Sequence, residues 1–152
     1  MINKYSCINI YENKKKNSKL SSQILYGEKF TILRRYKDWY KIKTSYDKYI
    51  GFIKKKKFES YVFKPTHKVS SLKAKVFLKP YKTSKVKTKL SFTSLIQVKS
   101  SNNGFFNFDN YWIQKSNVVP INYKEKIFQR IKIFRNVKYK WGGKKFDGVD
   151  CS

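Results

Sequence analysis

The sequence predicts a mainly β protein, two small β-barrels in tandem followed by a C-terminal helix. Three observations carry this. The first 120 residues contain an internal repeat, each copy alternates apolar and polar residues over short runs, and the period changes to helical spacing beyond Tyr123.

The repeat holds a constant offset of 66 residues from Tyr11 to Ile32. Tyr11 matches Phe77, Ser18 and Lys19 match Ser84 and Lys85, Leu20 matches Val86, and Ile24 matches Leu90. Tyr26 pairs with Phe92, Phe30 with Ile96 and Ile32 with Val98, and the register continues from Trp39, Tyr40 and Ile42 onto Phe105, Phe106 and Phe108. It then falls to 60, placing Phe52 and Ile53 on Trp112 and Ile113, the length change a surface turn tolerates.

Within a copy, Phe30 and Ile32 alternate before the polar turn Arg34 to Asp38, and Trp39, Tyr40 and Ile42 come after it. In the second copy Ile96 and Val98 are expected to face Phe105, Phe106 and Phe108 across a turn from Lys99 to Gly104. Short strands and tight turns in copies of this size favour a closed sheet, which leaves no sticky edge. Lys64 to Val69 reads as a linker, with Pro65 holding it extended. No long helix is expected before residue 120. From Tyr123 to Asn136, Ile127, Ile131 and Phe134 recur at steps of four and three, with Phe128 beside them, which predicts a helix with one apolar face. The expected boundaries are 1–62 for the first barrel, 63–120 for the linker and second barrel, and 121–152 for the C-terminal segment.

Composition supports folded cores: 40% of residues are hydrophobic and 18% aromatic. The charge is extreme, with 36 Lys and Arg against 9 Asp and Glu, a formal +27. Such a charge draws polyanions. The basic residues are mostly Lys, spread along the chain among many Asn, Ile, Phe and Tyr, which reads as a compositional bias over a polyanion-binding device. No zinc-finger, RNA-recognition or helix-turn-helix signature accompanies the charge, so nucleic acid is not the expected partner. A single histidine and scattered carboxylates form no metal-ligand spacing, and Gly142-Gly143 lacks a succeeding phosphate-loop pattern, so no metal or cofactor is expected. No run approaches the ~18–20 apolar residues of a membrane span, and Met1 to Tyr11 lacks a signal-peptide core, so the cytoplasm is the expected location.

Cys7 and Cys151 sit near opposite ends, poor arithmetic for a disulfide framework, and read as reduced thiols. Cys7, at a strand start, is expected to be a small buried apolar residue. His67, in the linker, reads as structural or solvated.

The stretches SSQILYGEKFTIL, DWYKIK and YIGFI resemble the bacterial SH3-type domain, with the Gly27 turn, a Trp after a polar hairpin and a closing strand with Gly51. The C-terminal YKWGGKKFDGVDCS, Tyr139 to Ser152, resembles the opening signature of the NlpC/p60 family of papain-like cysteine peptidases in five elements: Tyr139, Trp141, Gly142 with Gly143, Gly148, and Asp150-Cys151-Ser152. The resemblance implies that 121–152 is the truncated start of an α+β papain-like domain. It implies Cys151 as the nucleophile, Tyr139 lining the site near the attacked carbonyl, and Asp150 helping to hold a substrate's free amino group. Trp141 is expected to be a packing residue.

The chemistry gives these residue types a reason. A thiol of pKa ~8.5 must become a thiolate to attack, and the family achieves this with a helix N-terminus and a downstream histidine. Glycines ahead of the cysteine allow a sharp turn and a close approach. The implied lineage is a cell-wall peptide hydrolase that cuts after γ-D-glutamate in murein stem peptides, in the manner of enzymes that recycle such peptides. No histidine comes after Cys151 here, so the chain is expected to be a fragment that hydrolyses nothing alone. The alternative is a tandem SH3-type module that binds cell-wall peptide or glycan without cutting.

Overall fold

Alternating burial along short strands builds two separate five-stranded antiparallel sheets, one from each copy of the repeat. The computed structural model of the chain describes residues 1–124 and 131–150. By its contacts the chain divides into two units, Met1–Val62 with the chain from Lys138 onward, and Phe63–Val137. The stretch 121–152, expected as one segment, is thus divided after Val137.

In the first unit the strands are β1 (Cys7–Tyr11), β2 (Leu20–Leu25), β3 (Phe30–Arg35), β4 (Trp39–Thr44) and β5 (Ile50–Lys54), in the order β2-β1-β5-β4-β3. One face of each strand is apolar, so pairing them gathers Ile8, Ile10, Ile24, Phe30, Tyr40, Ile42 and Ile53 into one core. Each fully buried Ile contributes about 1.5–3 kcal/mol of transfer free energy. Phe58 closes against this core with its ring edge-on to Phe30, centroids 4.9 Å apart.

In the second unit β6 (His67–Val69), β7 (Lys73–Phe77), β8 (Val86–Ser91), β9 (Leu95–Ile96), β10 (Ser100–Asn102), β11 (Phe105–Phe108), β12 (Tyr111–Gln114) and β13 (Val118–Pro120) form two sheets, β10-β11-β12-β7-β8 and β13-β6-β9. The larger sheet repeats the neighbour order of the first unit. The likeness extends to irregularities: the β1–β2 register slips between Ile10 and Tyr11, and the β7–β8 register slips between Val76 and Phe77, their counterparts. The turns match too. Ser18 Oγ accepts from Asn13 N–H at 2.8 Å, and Ser84 Oγ accepts from Lys79 N–H at 3.0 Å.

Two expectations are corrected in the second unit. Lys64 to Val69 is not merely a linker, because His67–Val69 is the central strand of the smaller sheet. Nor do Ile96 and Val98 form the hairpin partner of β11. Thr66 draws them away: its N–H donates to Ile96 O at 3.0 Å and its Oγ1 accepts from Val98 N–H at 2.9 Å. Ser100–Asn102 takes the place on β11 instead, with the hairpin turn confined to Asn103 and Gly104, both at positive φ (46° and 75°).

No α-helix occurs among the described residues before 120, where Lys115–Asn117 is a single 3-10 turn. Of the helix expected over Tyr123 to Asn136, residues 125–130 lie outside the described residues. Ile131–Phe134, which is described, forms a 3-10 turn. The closure continues three residues back beyond it, Arg135 N–H to Lys132 O and Val137 N–H to Phe134 O. Phe134 sets its ring edge-on to Phe92, centroids 5.5 Å apart, while Ile131 stays exposed. Among the described residues no helix is long and apolar enough to cross a membrane.

The chain from Lys138 adds β14 (Lys144–Lys145) and β15 (Gly148–Val149), an antiparallel hairpin. Here the expected start of an α+β domain is, over its described residues, a β-hairpin lying on β2.

Candidate substrate cavity

The residues that hold this hairpin on β2 come from the first sheet. Gln23, 2% exposed, is central. Its Oε1 accepts two successive backbone N–H groups, from Lys144 at 2.8 Å and Lys145 at 3.1 Å. Its Nε2 donates to Asn9 Oδ1 at 2.8 Å, and Asn9 Nδ2 donates to the Tyr11 hydroxyl at 3.3 Å, which fixes the carboxamide's orientation. Beside it Gly142, at φ +65°, lies against the β2 backbone. A Cβ there would sit 2.7 Å from Ser21 C and 2.9 Å from Ser22 N. The close approach excludes any side chain at 142.

The segment is also tied to itself. Lys140 N–H donates to Val149 O at 2.9 Å, Gly143 N–H to Lys140 O at 2.8 Å, and Asp150 N–H to Gly143 O at 3.0 Å. Tyr139 bridges Val149 in parallel. These bonds bring Tyr139, Trp141 and Asp150 to one side of the hairpin.

There they line a cavity of about 620 Å³ with Ser21 and Ser22 of β2, Glu12 from the β1–β2 turn, and Asp47 and Tyr49 from the β4–β5 turn. Among the described lining residues Lys144 is the single cation, and it bonds Asp47 Oδ2 at 2.9 Å. Glu12, Asp47 and Asp150 are three of the nine carboxylates in a chain of net charge +27. Their convergence favours a ligand that presents a cation to this wall.

Burial pushes the Asp47 carboxyl up, but hydrogen bonds from the Thr44 hydroxyl and Lys144, with the Lys144 charge, outweigh it and hold the group below the usual carboxylate range.

The two described residues among the expected site, Tyr139 and Asp150, therefore share one cavity. Cys151 lies outside the described residues. Trp141, expected to pack, lines the same cavity and is 67% exposed. Sequence reasoning missed Gln23, Glu12 and Asp47. Gln23 had a signal: at the repeat offset, Ser21-Ser22-Gln23 stands where the second copy has Lys87-Thr88-Lys89.

The other sequence-flagged groups are elsewhere. Cys7, on β1, is half-buried, and burial pushes its thiol up to about 12 against the pull of Lys145 and Lys140. His67 belongs to the second unit, its ring 4.8 Å from that of Phe106, and burial lowers its pKa. No group of three or more His, Cys, Asp or Glu able to hold a metal ion occurs among the described residues.

Among protein families, residues 10–58 match the model described as the bacterial dipeptidyl-peptidase Sh3 domain. No curated protein matches the chain. Among solved structures, the chain superimposes on an NlpC/P60 family protein from Bacillus cereus ATCC 10987 with a TM-score of 0.81 at 15% identity, over 99% of this chain and 68% of that one. NlpC2 and NlpC1 from Trichomonas vaginalis align with TM-scores of 0.31 and 0.32 at 15% and 14% identity, covering 81% of this chain and 46% and 44% of theirs. The Bacillus superposition, at its low identity, is a likeness of fold. The chain thus carries a bacterial Sh3-type match and has the mainly β fold seen in an NlpC/P60 family protein.

Proposed function

We propose that residues 1–152 form the recognition front of a cell-wall peptide hydrolase, two SH3-like barrels followed by the first segment of a papain-like domain. The cavity beside the docked hairpin receives the free amino terminus of a short murein-derived peptide, of the L-alanyl-γ-D-glutamyl-diamino-acid type. One observation carries the reading: Tyr139 and Asp150, singled out by the C-terminal motif, line one cavity with Glu12 and Asp47, so that a chain of +27 presents a mostly acidic wall at this place.

The chemistry assigns the roles. An ammonium group donates charge-assisted hydrogen bonds to the Asp150 carboxylate, with Glu12 and Asp47 adding their field. The exposed rings of Tyr139 and Trp141 supply apolar contact at the mouth. Cys151, next after Asp150, is the nucleophile of the scissile γ-glutamyl bond. A thiol needs a base to act, and the one histidine among these residues, His67, precedes the cysteine in the chain, whereas the family that the motif resembles takes its histidine from after the cysteine. Residues 1–152 therefore bind the peptide without turning it over. A cytoplasmic site of peptide recycling fits short peptides as ligands.

Titration of the purified chain with L-Ala-γ-D-Glu-diaminopimelate tests this. Binding is expected to weaken at least tenfold when the peptide's amino group is acetylated, and likewise in Asp150→Asn, with no product formed. Equal affinity for the acetylated peptide removes the amine site. Turnover abolished by Cys151→Ala overturns the statement that these residues bind without cutting.

A further inference from the structure

We propose that a second recess of the first unit is a site for a small phosphate-bearing anion, held by Lys54, Lys56, Lys140 and Lys145. The recess measures about 320 Å³ and is floored by Cys7, Asn9 and Gln23. Its four lysines come from three stretches of chain: the end of β5, the approach to the docked hairpin, and β14. The single carboxylate among the described lining residues is Asp147, whose Oδ2 bonds Lys145 Nζ at 2.8 Å across the hairpin turn. Both partners are partly exposed, and such pairs contribute little, so a ligand oxygen can replace the carboxylate.

Lysines are common in this chain, but the second copy of the repeat does not carry the pair on and after β5. At the offset that relates β5 to β12, Lys54 and Lys56 correspond to Gln114 and Ser116. The charge is also sorted within one unit: the peptide cavity gathers three carboxylates and one lysine, this recess four lysines and one carboxylate. Positive side chains lining one recess favour a bound anion, toward which the Lys56 ammonium would turn from the Tyr5 ring it now faces at 4.7 Å. Cys7 stays a neutral thiol at the floor and adds no competing negative charge.

The donors set the ligand class. All four cations are lysines, compact point charges that suit the tetrahedral oxygens of phosphate, whereas planar carboxylates are better matched by the arginine fork, absent here. The volume lies at the lower end for small-molecule sites, which suits a mono- or diphosphate and not a polymer laid along the surface. The site stands on its own residues and does not depend on the peptide reading.

The test uses inorganic pyrophosphate as probe, monitored by backbone amide NMR shifts and calorimetry on the whole chain at roughly physiological salt, where surface charges are screened beyond about 8 Å. One saturable site is expected, with shifts confined to Ser6 to Asn9, Lys54 to Lys56 and Lys140 to Lys145. Lys54→Gln/Lys140→Gln should weaken binding at least tenfold. Lys75→Gln/Lys89→Gln in β7 and β8 removes the same charge from the second unit and should leave affinity unchanged, with both variants melting as the parent does. An equal loss in the two double variants, or shifts spread over both units, overturns the site. Citrate binding as tightly as pyrophosphate overturns the phosphate assignment, and a single-stranded oligonucleotide that outcompetes pyrophosphate at both units makes the chain a general polyanion binder.

Discussion

The two five-stranded sheets share strand order, a register slip and turn hydrogen bonds, yet β2 and β8 present opposite surfaces. β2 carries Ser21-Ser22-Gln23 and is covered by the C-terminal hairpin, with Ser22 and Gln23 buried. β8, at the same place in the repeat, carries Lys87-Thr88-Lys89, whose lysines stay exposed. A lysine ammonium has no acceptor to offer a backbone N–H, whereas the Gln23 carboxamide offers one to two such groups at once. The repeat preserves what closes a core, and the positions where the copies part company mark what that core is used for.

The largest effect should come from giving β2 the surface of β8. Ser21→Lys/Gln23→Lys strips the partner from the Lys144 and Lys145 amides and forces a lysine into a site that is 2% exposed. About 3–5 kcal/mol of docking free energy should be lost, from two hydrogen bonds and an uncompensated buried charge. Hydrogen exchange at those two amides reads it directly, while the β1–β5 amides remain protected as a control on folding. Protection at Lys144 and Lys145 that survives the double substitution would show that the hairpin is held by something other than Gln23.

A smaller effect separates two glycines of similar backbone geometry. Gly142 and Gly104 both have positive φ, +65° and +75°, but a Cβ at 104 meets nothing within 4 Å whereas one at 142 meets the β2 backbone. Gly104→Ala should therefore cost only the conformational penalty, about 1 kcal/mol. Gly142→Ala adds an overlap that paired backbone cannot relieve, for about 2–3 kcal/mol together with weakened peptide binding. Denaturant unfolding of the two variants checks the difference, and equal losses would mean that the contact on β2 is not close.

These pairs also show what could be read in the sequence and what could not. Ile24 and Ile53 and their counterparts Leu90 and Ile113 were legible because the repeat pairs them as apolar positions, and all four are buried. The strand at His67 was not, since three residues behind Pro65 look like a linker until β13 and β9, far along the chain, pair with them. In the cavity, Tyr139 and Asp150 stood out through their motif. Gln23 did not, because its partners lie 121 and 122 residues along the chain and a lone glutamine in a strand carries no local pattern. Glu12 and Asp47 sit in turns, where acidic residues are ordinary, and only the folded chain shows them lining one cavity with Asp150.

The smallest expected effect concerns the Asp47–Lys144 ion pair that links the first unit's β4–β5 turn to the hairpin. Asp47 is held below the usual carboxylate range, so the folded unit takes up its proton less readily than the unfolded chain does. The Asp47–Lys144 contribution is then fully present above the ordinary carboxylate pKa of ~3.9 and is lost as the pH falls through the depressed folded value. Both side chains are partly exposed, which limits the contribution to below about 1 kcal/mol. Asp47→Asn should lower the melting temperature slightly at neutral pH, and the gap from the parent should close as the pH is taken below the ordinary carboxylate pKa. A gap that persists in acid would trace to the Thr44 hydrogen bond and not to the charge, and the pairing of sheet and hairpin would then rest on Gln23 and the Gly142 contact alone.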